Sequence, residues 1–85
     1  MNAQNSPIPG KPDFYTLCKL CNVNNDMLQA LSDQSGVPRS VVDMMFLGTP
    51  VKRTEAASVL AAFSQMVGHV RNLENTSIPL TEEVQ

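Results

Sequence analysis

The sequence predicts an all-α fold: a compact four- to five-helix bundle that contains a helix-turn-helix and ends in an extended C-terminal tail. Three observations predict it. Between Leu28 and Gly48, read as LQALSDQSGVPRSVVDMMFLG, two short apolar-periodic stretches meet at Gly36, and a second glycine closes the pair. Thr54 to Gly68 is a longer stretch whose apolar residues cover more than one side of a helix. The composition is 42% hydrophobic yet has only three Phe, one Tyr and no Trp, so Leu, Val, Ala and the five Met carry most of the packing. Alanine-rich, glycine-poor segments of this kind favour helix over sheet. A chain of 85 residues makes one small domain, which buries about 60–65% of its extended surface and needs a well-shared core.

Residues 1 to 12, MNAQNSPIPGKP, carry Pro7, Pro9, Pro12 and Gly10 and no apolar periodicity, which predicts a flexible N-terminal arm. The helix-turn-helix domain then spans 13–70. Its first helix starts with Asp13 as N-cap and runs to about Asn22, placing Phe14, Leu17, Cys18 and Cys21 at i, i+3, i+4 and i+7 on one buried stripe. The CxxC spacing of Cys18 and Cys21 invites a metal or redox reading. Zinc needs four ligands, however, and only His69 remains as a conventional nitrogen donor. A redox pair sits at a helix N-terminus, where the thiolate is stabilised, whereas these two lie mid-helix on the core face. Both are read as small packing residues, and neither a disulfide framework nor an oxidising compartment is indicated.

Asn24 or Asn25 caps a second helix that runs to about Ser35, with Asp26 favourable against the helix dipole in its first turn. Leu28, Leu31 and Ser35 share one face, and Gln29, Asp33 and Gln34 face outward. Gly36 falls where the chain must take a positive φ, and Val37 is the first buried residue beyond it. A third helix begins near Pro38, tolerable there because a first-turn amide has no intrahelical partner, and ends at Gly48. Val41, Val42, Met45 and Phe46 turn inward to differing degrees. Arg39, Ser40, Asp43, Met44 and Leu47 form the outward face.

Thr49 and Pro50 read as an N-cap and first helical residue, or as a turn leading to a cap at Thr54; the helix that follows runs to about Gly68. Being apolar over so much of its circumference, it is expected at the centre, with the first helix on one flank and the helix-turn-helix on another. His69 reads as a helix-end residue interacting with terminal carbonyls. Residues 71–85 lose helical periodicity and form the extended tail, with one short strand at Thr76 to Leu80. A strand without a partner in its own chain needs another copy, so the tail is read as a dimerisation segment.

The formal net charge is −2, but its distribution matters more than its sum. Residues 11 to 71 hold all six Lys and Arg against five acids, and residues 72 to 85 hold three acids and no base. Any affinity for nucleic acid therefore rests on a few placed cations. No apolar run approaches the ~20 residues of a membrane span, and the N-terminus lacks the order of a signal peptide, which predicts a cytoplasmic protein. No nucleophile–base pair, paired carboxylates or glycine-rich phosphate loop is present, so an enzyme is not expected, nor a cofactor or metal.

Leu31, Ser32, Gly36, Val37, Val42, Met45, Phe46 and Gly48 fall at the spacing of the phage-repressor and Cro-like helix-turn-helix, and the chain resembles that superfamily, the Xre class, from about Phe14 to Gly68. Ser32 stands where the family usually has alanine. The resemblance implies that the helix 38–47 enters the major groove, while the starts of the preceding and following helices grip phosphates. Gln29 would face a DNA backbone or base edge. Arg39, Ser40, Asp43 and Met44 would face base edges: Arg39 donating a bidentate pair to guanine, Asp43 accepting from cytosine, Met44 touching a thymine methyl. Lys52, Arg53 and Thr54 would hold the backbone and set register.

The functional expectation is a transcriptional regulator that binds double-stranded DNA sequence-specifically as a homodimer, on half-sites ~34 Å apart. The alternative is a protein-interaction module on the same fold, in which Met44 and Leu47, with Val51, form an exposed apolar patch for a protein partner. For the free protein, Arg39 is also placed to pair with Asp43 at i, i+4.

Overall fold

The structure is a computed structural model and describes residues 11–81. Of the expected N-terminal arm, residues 1–10 lie outside the described residues, as do residues 82–85 of the tail. Among the described residues there are four helices: α1 Phe14–Leu20, α2 Asn25–Ser35, α3 Arg39–Leu47 and α4 Arg53–Val67. None is long and apolar enough to cross a membrane.

The helix starts and stops follow local chemistry. Asp13 caps α1 by accepting from the Thr16 amide at 2.9 Å, and Asn24 caps α2 by accepting from the Met27 amide at 2.9 Å. α1 ends two residues short of the expected Asn22. Asn22 instead takes a left-handed φ of 54°, and the bonds Val23 N–H to Cys18 O and Asn22 N–H to Lys19 O close the end as a Schellman motif. Asn serves there because its short polar side chain tolerates the left-handed region better than most residues. Gly36 at φ 75° and Gly48 at φ 82° end α2 and α3 as their positions predict.

The start of α4 differs from expectation. Neither Thr49 nor Thr54 caps it; Lys52 occupies the N-cap position without a side-chain hydrogen bond, and Thr54 lies inside the first turn. What organises this end is Val51, which is buried and paired with the tail.

The central place expected for α4 is not found: Ala57, Ser58, Ala61 and Gln65 leave one of its sides exposed, and α1 packs chiefly on α3. α4 packs on α2 and, more lightly, on α3, and it meets α1 through an edge-to-face contact of Phe14 and Phe63, ring centroids 5.8 Å apart. The core is Phe14, Leu17 and Cys18 from α1, Leu28 and Leu31 from α2, Val42 and Met45 from α3, and Val59, Leu60 and Phe63 from α4, with Val37, Val51, Ala56 and Ala62 completing it. Cys18 is fully buried and Cys21 partly so, both against this core. Burial, with Cys21 alongside, pushes the Cys18 thiol up to about 12.

The tail is not a free strand awaiting another copy. A turn built by Asn72 and Asn75, each accepting backbone amides of the other's neighbourhood, brings the chain round, and Thr76 is buried with its hydroxyl donating to Asn72 O at 2.7 Å. Beyond it the Ser77 amide donates to Pro12 O, the Val51 amide to Pro79 O, and the Thr81 amide to Val51 O. The result is an isolated parallel bridge between Val51 and Leu80, with Leu73, Ile78 and Leu80 laid on the core. The premise that the tail lacks a partner in its own chain does not hold, because a period-2 pattern shows that a strand has one apolar face but not which chain covers it. His69 is exposed beyond α4, and the terminal turn is closed instead by Gly68 N–H to Ser64 O and by the Ser64 hydroxyl, which accepts the Arg71 amide at 2.7 Å.

Candidate functional site

The surface shared by α2 and α3 begins with the three residues between them. At Gly36 the amide donates to Ser32 O, the Val37 amide donates to the Ser35 hydroxyl at 3.2 Å, and the buried Ser32 hydroxyl donates to Val37 O at 2.7 Å. These three bonds join the end of α2 to the connection that leads into α3 and satisfy the Gly36 and Val37 amides and the Val37 carbonyl.

On the outward side, Asn25, Gln29 and Asp33 recur at i, i+4 and i+8 of α2 and so form one polar stripe. Arg39, the first residue of α3, reaches that stripe. Its Nη1 donates to Gln29 Oε1 at 3.2 Å, its Nη2 to Asn25 Oδ1 at 2.5 Å, and its Nε to Asp43 Oδ1 at 2.8 Å. Gln29 in turn donates from Nε2 to Asp33 Oδ1 at 3.1 Å. One guanidinium thereby binds two carboxamides on one helix and a carboxylate on the next. The planar fork explains why arginine can do so, since its five N–H donors point in fixed directions.

The residues expected to face DNA therefore divide into groups. Gln29, Arg39 and Asp43 are brought together in one network, and exposed Ser40 lies beside them on α3. Met44 is only half-exposed and packs in part on the core, so it is less of an outward residue than its position implies. Lys52, Arg53 and Thr54 are all exposed at the start of α4, separate from the network. Asn25, read from the sequence only as a cap candidate, joins the same network, and its i, i+4 spacing from Gln29 is the signal that places it there. Leu47 is 76% exposed. Near it Phe46 meets Tyr15 of α1 edge to face, centroids 5.0 Å apart, with the Lys19 ammonium 5.6 Å from the Tyr15 ring.

Electrostatically the described surface is balanced: residues 11 to 81 contain six basic and six acidic residues. Arg39 is paired locally with Asp43, whereas Lys52 and Arg53, adjacent in sequence at the start of α4, are both exposed. No protein-family model, curated protein or solved structure matches the chain.

Proposed function

We propose that this chain is a helix-turn-helix DNA-binding module of the repressor and Cro-like kind, with α2 and α3 as the motif and α3 in the major groove. The observation that carries the reading is the hydrogen-bonded face shared by the two helices. Asn25, Gln29, Arg39 and Asp43 form a pre-ordered polar surface beside exposed Ser40, and pre-ordered donors and acceptors reach base edges and phosphates at low entropic cost. Lys52, Arg53 and Thr54 supply backbone contacts that set register. With so few cations a single copy binds weakly and loses affinity steeply with salt, so the active species is a dimer on a two-fold site.

A second reading rests on a different observation. Leu47 is 76% exposed, and Tyr15, 46% exposed, borders Phe46 on the same side of α3 as α1. This apolar edge suits a protein partner; it differs from the expected patch of Met44, Leu47 and Val51, because Val51 is buried and Met44 partly so.

Selection from random duplexes at low and moderate salt tests the first reading. The full chain should enrich one motif, and changing Lys52 and Arg53 together to Ala should weaken all duplexes alike and flatten the salt dependence. Absence of both an enriched motif and salt-dependent retention overturns the reading and leaves the apolar edge as the functional surface.

A further inference from the structure

We infer that Arg39 is a positioning residue: its guanidinium locks the Gln29 and Asn25 carboxamides of α2 to the first turn of α3, and it acts on DNA through them instead of reading a base itself. The inference rests on the DNA-binding reading and reverses the role that the resemblance gives Arg39.

The geometry carries it in three steps. Arg39 has five N–H donors, and three of them are committed within the protein, one from each nitrogen. Its charge is paired with Asp43 at 2.8 Å, so the Coulomb attraction that would draw it to the negative groove is largely spent. The partners, in contrast, gain a defined orientation. Gln29 Oε1 faces Arg39 and Gln29 Nε2 faces Asp33, which fixes which end of the carboxamide is the acceptor and which the donor. The remaining Nε2 proton is then a placed donor for an acceptor on DNA, a phosphate oxygen or a purine N7. A free glutamine on a helix surface has no such preference, because its carboxamide rotates with little cost.

The positioning also couples the helices. Asn25 and Gln29 belong to α2 and Arg39 to α3, so the network sets how the N-terminal halves of the two helices lie against each other on the solvent side. Ser32 and Val37 do the same on the buried side.

The test is a double-mutant cycle on the full chain, read against the selected duplex and a panel of its single base-pair variants. Arg39→Ala and Gln29→Ala should each weaken binding by about five- to hundredfold and should give the same profile across the panel. The double variant should lose no more than about twofold beyond either. Arg39→Lys keeps a charge for Asp43 but lacks the fork, so it should behave as Arg39→Ala; a role confined to the ion pair would be rescued by lysine. A base pair whose discrimination is lost in Arg39→Ala and kept in Gln29→Ala would make Arg39 a reader and overturn the inference, as would additive losses. Melting of the same four proteins without DNA keeps the two readings apart. If wild-type chain retains no duplex, the DNA reading fails, and the positioning claim is decided by whether the melting temperature drops are non-additive, as expected, or additive, which sinks it.

Discussion

The buried hydroxyl of Ser32 donates to the carbonyl of Val37 at 2.7 Å, joining the last turn of α2 to the residue that leads into α3. This serine thus carries a hydrogen bond across the turn. Ser32→Ala leaves the Val37 carbonyl without this donor in a place with little access to water. The expected cost is about 1–2 kcal/mol, or a fall of roughly 4–16 °C in melting temperature for a domain of this size. Thermal denaturation of the two proteins checks it, and an unchanged melting temperature would show that the hydroxyl is dispensable.

Gly36 offers a separate test of the same turn. Its φ is +75°, and beyond Gly36 and its two chain neighbours no heavy atom lies within 4 Å of where a Cβ would stand. The penalty of a side chain is therefore conformational and not steric. Gly36→Ala should cost about 1–2 kcal/mol, and Gly36→Asn should cost less, because asparagine visits the left-handed region more readily. Urea denaturation with unchanged slope and shifted midpoint is the expected signature. Equal losses for both variants would mean that something other than φ is at stake.

The tail gives a prediction opposite to the one that its pattern alone supports. Because residues 76–81 pair with Val51 and Pro12 of their own chain, ending the chain after Arg71 should destabilise the fold and not simply dissolve a dimer. Loss of Leu73, Ile78 and Leu80 from the core surface should cost roughly 2–4 kcal/mol, and amide exchange at Val51 should accelerate. Sedimentation of full-length and truncated chains should report the same oligomeric state. A dimer that becomes a well-folded monomer on truncation would restore the tail as the dimer contact.

Cys18 and Cys21 should separate in reactivity. Cys18 is buried and its thiol is pushed up to about 12, first by burial and then by Cys21. Alkylation of the native chain near pH 8 should label Cys21 first, with Cys18 reacting only as the fold opens and both reacting together in denaturant. The linkage has a definite sign. The folded state holds the Cys18 proton above the ordinary thiol value of 9.0, so that stability is complete below pH 9 and declines as pH rises toward 12. Comparing the stability of wild type and Cys18→Ala across that window isolates the thiol from the other groups that titrate there. Parallel curves for the two proteins would remove Cys18 from the account.

How much could be read without coordinates differs by element. Asp13, Asn24, Gly36 and Gly48 marked helix ends in the sequence because caps and left-handed residues act within four or five residues of the chain, a range over which sequence neighbours are also spatial neighbours. The apolar spacing of Phe14, Leu17, Leu28, Leu31, Val42 and Met45 placed the core faces for the same reason, since a helix converts sequence interval directly into direction. The Arg39–Asp43 pair was also legible, being one helical turn.

Tertiary structure alone decided the rest. That Arg39 reaches Asn25 and Gln29, fourteen and ten residues away, depends on how α3 crosses α2, and no interval in the sequence encodes that crossing. That Val51, two residues before α4, is buried and bridged to Leu80 depends on a tail that arrives almost thirty residues later. The sequence by itself determined the all-α class, the helix ends marked by Asp13, Asn24, Gly36 and Gly48, and the inward faces, because these follow from short-range sterics and hydrogen bonding. The partner of the tail and the hydrogen bonds of the outward cation were set by packing, because both join groups that only the folded chain brings within reach.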